Sequence, residues 1–263
     1  MAAPEHDPDE LRVYWQPGCT SCLRVKELLA ARGVPFRSID VLADARAMQE
    51  LRALGARSVP VVARGERFVH GQDPGEVARF VGLALESRRL DPEVLLMRLE
   101  RLLAHAARLA AVIPPARVHD TIPARPRRYA DIAFHVGMIV EGFLDAARGG
   151  ELRYEHFERR PGSGEDDPAG LAAGLLQRRL ALLDWAARDR LREPSRPLRT
   201  YYGEQPLHAV LERTAWHVAQ HCRQLDHLVG EVLQVAGAPR LPAGDLDGLP
   251  VPREVWDPEI RFG

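Results

Sequence analysis

The chain has 263 residues, 46% of them hydrophobic and 28% charged. That length is roughly two domains' worth at about 150 residues each, and the composition excludes a wholly disordered or collagen-like polymer. Lys+Arg number 36 against 37 Asp+Glu, a net charge of -1, with 12 against 12 up to Arg88 and 24 against 25 after it. Neither part carries the positive excess of a nucleic-acid binder. No run approaches the roughly 18 apolar residues of a membrane span, and the first residues are acidic where a signal peptide would be basic and then apolar. The expectation is a cytoplasmic protein that binds neither nucleic acid nor membrane.

Residues 1–10 read as a flexible N-terminus. From residue 11 the elements alternate. Leu11–Trp15 is an apolar strand, Gln16-Pro-Gly-Cys19 a turn, and Thr20 to about Arg32 a helix. A second strand, Phe36 to Val41, and a helix from Ala43 to Leu54 follow. Val59–Ala63 and Arg67–His70, separated by Arg64-Gly-Glu66, read as a hairpin. A last helix starts at Pro74, with Asp73 as N-cap. This β-α-β-α-β-β-α order closes the first domain at residue 88.

Beyond it the pattern turns wholly helical. Apolar residues recur at helical spacing from Asp91 to Ile113, and Pro114-Pro115 stops the run. A proline-rich crossover, Ile122 to Arg128, leads to a second helix over 129–148, a third over 169–191 and a fourth over 207–236. Four long amphipathic helices without an intervening strand pattern predict an all-α four-helix bundle over 91–236. The segment 237–263, rich in proline and glycine, is expected to be a tail packed on that bundle.

Three cysteines are too few, and odd in number, for a disulfide framework. Cys19 and Cys22, however, stand between a strand and a helix. At a helix N-terminus the Cys19 sulfur meets unpaired backbone N–H groups that favour the thiolate, the nucleophile of disulfide exchange. Cys22, one turn on, lies on the same face and can attack the mixed disulfide. The competing reading, half of a zinc site, needs two further soft ligands, and only Cys222 remains. That third cysteine reads as a small packing residue.

Tyr14-Trp-Gln-Pro-Gly-Cys-Thr-Ser-Cys22, Ser58-Val-Pro60 and Gly71-Gln-Asp73 resemble a glutaredoxin, a thioredoxin-fold protein, across residues 11–88. The resemblance implies a cis proline at Pro60 facing the active sulfur. It also implies a thiol-binding surface of Gln16, Val59, Pro60, Gly71, Gln72 and Asp73, with the Val59 backbone pairing with glutathione and the Gly71–Asp73 turn receiving its γ-glutamyl end. Glutathione is the implied co-substrate. Gln16 and Thr20-Ser21 stand where the family often has a lysine and a Pro-Tyr insert, so a thioredoxin-type reductant is the alternative.

His217-Val-Ala-Gln-His221 sets two imidazoles at i and i+4 on one helix face. His135 lies in the apolar middle of the 129–148 helix, where antiparallel packing would bring it opposite the pair. Three neutral nitrogens plus water suit zinc, with nickel, iron or manganese as alternatives; the bland reading is three satisfied core histidines. His105, His119, His156, His208 and His227 have no partner at useful spacing and read as surface or capping groups. Tyr201 and Tyr202, before the fourth helix, read as packing or as a pocket mouth.

Phe134-His135 and Thr214-Ala-Trp-His-Val-Ala-Gln-His-Cys-Arg-Gln-Leu225 are similar to the DinB-like superfamily, four-helix bundles that include thiol-dependent S-transferases and mycothiol-dependent maleylpyruvate isomerase. The resemblance implies metal binding by His135, His217 and His221, with Gln224 supporting a ligand, and a homodimer. The combined expectation is a thiol–disulfide oxidoreductase coupled to thiol-dependent transfer or isomerisation of a small electrophile, or reduction of an oxidised thiol substrate. The alternative is a glutaredoxin-type reductase of a protein partner, with the bundle as a metal-binding or sensing module.

Overall fold

The structure is a computed structural model and describes residues 9–44, 46–84, 89–122, 127–189 and 191–259. The N-terminal stretch expected to be flexible, the join before residue 89, the centre of the proline-rich crossover and the last four residues therefore lie outside the described residues, wholly or in large part. The described residues divide into two compact units, one of residues 9–84 with 252–259 and one of residues 89–251. Among the described residues no helix is long and apolar enough to cross a membrane.

In the first unit, strands β1 (Leu11–Trp15), β2 (Arg37–Asp40), β3 (Val61–Arg64) and β4 (Arg67–His70) form one sheet in the order β2-β1-β3-β4. β1 runs parallel to β2 and antiparallel to β3, and β3 pairs antiparallel with β4. All five residues of β1 are buried, which explains why it reads as a continuous apolar run rather than an alternating one. Alternate residues feed two cores. Leu11, Val13 and Val62 pack with Val25 and Leu29 of α1 (Thr20–Ala31) and Val77 of α3 (Pro74–Phe80). Tyr14, Val61 and Ala63 pack with Ala47 and Leu51 of α2 (Ala47–Ala53). The fold is thioredoxin-like, with helices on both faces of a mixed sheet.

The second unit is helical: α4 (Pro92–Ala111), α5 (Tyr129–Ala147), α6 (Pro168–Asp189) and α7 (Leu207–His227). α4 packs on α6 and α7, and α5 packs on the same two. Nearly every residue of α5 is buried, so this helix is apolar all round rather than on one stripe. On α6, by contrast, Leu176, Leu180 and Leu183 at i, i+4 and i+7 are exposed.

Three expectations are corrected. A two-stranded hairpin, β5 (Pro197–Thr200) and β6 (Gly203–Pro206), stands directly before α7, where no strand was anticipated. The fourth helix ends as an α-helix at His227 and continues only as a π-helical turn over Leu228–Val232, short of Ala236.

The third correction concerns the tail. Its residues from Pro252 belong to the first unit, not to the helices. Backbone N–H groups of Arg253 and Glu254 donate to the Glu27 carboxylate at 2.6 and 2.9 Å. Asp257 and Glu259 flank the Lys26 ammonium at 2.6 and 2.9 Å, and Lys26 also lies 3.6 Å from the centre of the Trp15 ring. The single lysine of the sequence is thus buried and neutralised by the chain's own C-terminal segment.

Candidate functional site

Two groups of side chains carry chemistry, one in each unit. In the thioredoxin-like unit β1 delivers the chain to Gln16-Pro17-Gly18, where Gly18 adopts φ +77°. This left-handed conformation suits glycine and turns the backbone so that Cys19 becomes the N-cap of α1. The amide of Cys22 donates to the Cys19 sulfur at 3.2 Å, as the expected helix-terminus environment requires. Cys19 is partly exposed, whereas Cys22 is fully buried. The two are joined as a disulfide with Cα atoms 5.2 Å apart. A partly exposed cysteine with a buried one within bonding reach is the arrangement of a nucleophile and a resolving thiol.

The implied thiol-binding residues gather on neighbouring loops. The Val59–Pro60 peptide is cis, and the Gly71 amide donates to the Pro60 carbonyl at 2.9 Å. A Cβ at Gly71 would stand 2.6 Å from Val25 Cγ2 and 2.8 Å from Pro60 Cγ, so only glycine lets these segments meet. The Gln72 side-chain Nε2 donates to the Val59 carbonyl at 3.3 Å. Asp73 caps α3 by accepting from the Gly75 amide at 2.6 Å, and Pro74 occupies the first turn. Gln16 follows β1 and its carbonyl accepts from the Cys19 amide at 3.3 Å.

In the helical unit α5 and α7 bring His135, His217 and His221 together. One ring nitrogen from each lies within 4.8 Å of the other two, and the ring centres are 4.8 to 5.6 Å apart. All three are buried. Burial pushes the proton affinity of each imidazole down, for His221 to about 3, and Arg127 contributes to all three reductions. Neutral imidazole is the ligand form. His221 Nδ1 is 2.7 Å from Gln224 Oε1; with the proton assigned to Nδ1, the Nε2 lone pair is left for an ion. Among the described residues, Nδ1 of His135 and of His217 are buried without a hydrogen-bond partner. Satisfied core histidines would not leave two such atoms orphaned, so the residues fit a divalent metal held by three nitrogens.

Of the other histidines, His105 departs from expectation: it is fully buried, with Nε2 3.7 Å from Asp226. His156, though buried, is a capping group as expected, its Nδ1 lying 3.2 Å from the Arg153 amide at the start of the Tyr154–Phe157 turn. Cys222 is buried, with Sγ 3.4 Å from the Leu102 carbonyl, and burial raises its thiol pKa far above the ordinary value. It packs, as expected.

Sequence reasoning passed over Arg213. It lies four residues before His217 on α7, and its guanidinium stands 5.2 Å from the centre of the Phe157 ring. Phe157 in turn lies 5.8 Å from the rings of both His135 and His217. The available signal was an arginine in register with both histidines on one helical face.

Residues 11–69 match the glutaredoxin family. Over 51 residues, 19% of this chain and 50% of the relative, the sequence is 47% identical to the Gene 56 protein of Mycobacterium phage L5. Over 72 residues, 27% of this chain and 30% of the relative, it is 32% identical to the hybrid peroxiredoxin hyPrx5 of Haemophilus influenzae. A glutaredoxin-like 8.6 kDa protein in the rubredoxin operon of Clostridium pasteurianum is 26% identical over 72 residues, 27% of this chain and 96% of that protein. The chain thus spans half or less of the length of the first two relatives. No solved structure matches it.

Proposed function

We propose that this protein is a thiol–disulfide oxidoreductase whose second unit is a DinB-like metal centre for thiol-dependent transfer or isomerisation of a small electrophile. The observation that carries the redox assignment is the Cys19 sulfur at the cap of α1, accepting from the Cys22 amide at 3.2 Å with the Cys22 sulfur behind it. In the reduced pair the Cys19 thiolate attacks one sulfur of a substrate disulfide, forming a mixed disulfide and releasing the other sulfur as a thiolate. The Cys22 thiolate then attacks Cys19 Sγ, releases the second substrate thiolate and closes the Cys19–Cys22 bond. The substrate gains two electrons and two protons. Two glutathione molecules, or one thioredoxin-type dithiol, return them to the pair and leave as the disulfide.

Glutathione is favoured as the reductant by the match of residues 11–69 to the glutaredoxin family and by the cis Val59–Pro60 peptide. The metal assignment is supported by the convergence of His135, His217 and His221 and by their two orphaned nitrogens, with zinc the ion that suits three imidazoles best. When bound, such an ion supplies a Lewis-acid centre that lowers the pKa of a thiol or water at its open position. The three histidines stay neutral to receive it, and Gln224 fixes the His221 ring.

The redox assignment is tested by the rate at which full-length protein reduces a glutathione mixed disulfide in the presence of glutathione. Activity abolished in Cys19→Ser supports it, and unchanged activity in that variant contradicts it. If instead thioredoxin but not glutathione sustains turnover, the reductant is corrected and the chemistry stands.

A further inference from the structure

Arg213, His217 and His221 stand at i, i+4 and i+8 on α7, so one face of the helix carries a guanidinium next to the two imidazoles. Arg213 is 4% exposed, yet it forms no ion pair among the described residues. The adjacent Glu212 is taken by Arg89 at 3.0 Å. The Arg213 guanidinium donates to the Tyr201 hydroxyl at 3.0 Å, while its Nε is buried with no hydrogen-bond partner among the described residues. The rings of Phe157, Tyr202 and Tyr201 lie 5.2, 5.5 and 5.8 Å from its central carbon. Aromatic faces hold the guanidinium in place and partly compensate its charge, but they do not satisfy the in-plane N–H edge.

The Arg213 guanidinium one turn from His217 makes the site positive, and a divalent ion would add to it. A buried charge without a counter-charge is unfavourable. The planar N–H fork of arginine matches a carboxylate, whose two oxygens accept in parallel.

We propose that Arg213 is a carboxylate-recognition site beside the histidine cluster, selecting small ligands that carry a carboxylate at one end and present the reacting group to His135, His217 and His221 at the other. The inference deepens the metal-centre reading and rests on it for what the second end of the ligand meets. Phe157, between Arg213 and the two histidines, is the apolar wall along which the short linker between the two ends lies.

The test uses the full-length Cys19→Ser, Cys22→Ser protein, so that no thiol exchange interferes, loaded with Co(II). Titration with 3-mercaptopropionate and with 2-mercaptoethanol compares a thiol that carries a carboxylate with one that does not, read through thiolate-to-cobalt absorption. The expected result is at least about tenfold tighter binding of 3-mercaptopropionate. Arg213→Met should erase the preference at unchanged cobalt content, and Arg213→Lys, which keeps the charge but not the fork, should retain only part of it. Equal affinities in the parent protein overturn the proposal and leave the metal site standing, and this comparison does not depend on whether Arg213→Met folds. If no cobalt is retained, calorimetry of 3-mercaptopropionate on the metal-free chain decides. Binding that Arg213→Lys weakens keeps the carboxylate site while the metal reading falls, and no binding overturns both.

Discussion

The cysteine pair and the histidine cluster are built in opposite ways. Cys19 and Cys22 come from one turn of sequence, are held by a cap hydrogen bond of that same turn, and leave Cys19 partly exposed. His135 comes from one helix, His217 and His221 from another, and all three are buried. The first site is a local motif that a strand, a glycine and a helix end suffice to form. The second exists only once α5 and α7 have packed, and so its chemistry is tied to the stability of the whole helical unit.

Removing one ligand is the most severe way to break the contrast. His217→Ala should reduce bound metal from about one ion per chain to near none, measured by elemental analysis, while disulfide exchange by the cysteine pair stays intact. Next in size, Gln224→Ala leaves three nitrogens but frees the His221 ring, and metal affinity should fall about 10- to 100-fold in a chelator competition. The local site has its own weak point outside the motif. Gly71→Ala forces a Cβ against Val25 and Pro60 and should cost about 1–3 kcal/mol, read as a lower denaturation midpoint of the first unit, with metal content unchanged.

The smallest effect is one of pH. Burial lowers the proton affinity of His221 to about 3, from an ordinary value of 6.5, and moves His135 and His217 in the same direction. The unfolded chain takes up these protons first as pH falls. Metal-free helical unit should therefore be most stable above about pH 6.5 and lose stability progressively between there and about pH 3. Melting followed by circular dichroism at pH 7.5 and 5.5 checks the sign, and replacing His221 with Gln should flatten the dependence.

The same division governs how much could be read in advance. The redox loop, the Asp73 cap with Pro74, and the hairpin around Gly65 rest on short-range signals and stand within a few residues of their expected places. The spacing of His217 and His221 was local, and the apolar surroundings of His135 pointed to the packing that joins them. What sequence could not supply was long-range pairing of polar groups. The hairpin over Pro197–Thr200 and Gly203–Pro206 is short, bounded by prolines and carries Arg199 and Glu204, so no alternating apolar pattern announces it. The Asp257 and Glu259 carboxylates found Lys26 across the length of the chain, and nothing in their local sequence names that partner. Arg213 was passed over because a charged residue in an amphipathic helix reads as a solvated face, whereas Tyr201, Tyr202 and Phe157 enclose it.

The central claim is that two separate sites act here, one of sulfur and one of metal. The most direct test is elemental analysis of three purified full-length proteins: the parent chain, His217→Ala, and Cys19→Ser with Cys22→Ser. The account predicts about one divalent ion per chain in the first and third and near none in the second. No stoichiometric metal in the parent chain, or an ion lost with the cysteines and kept without His217, would contradict it.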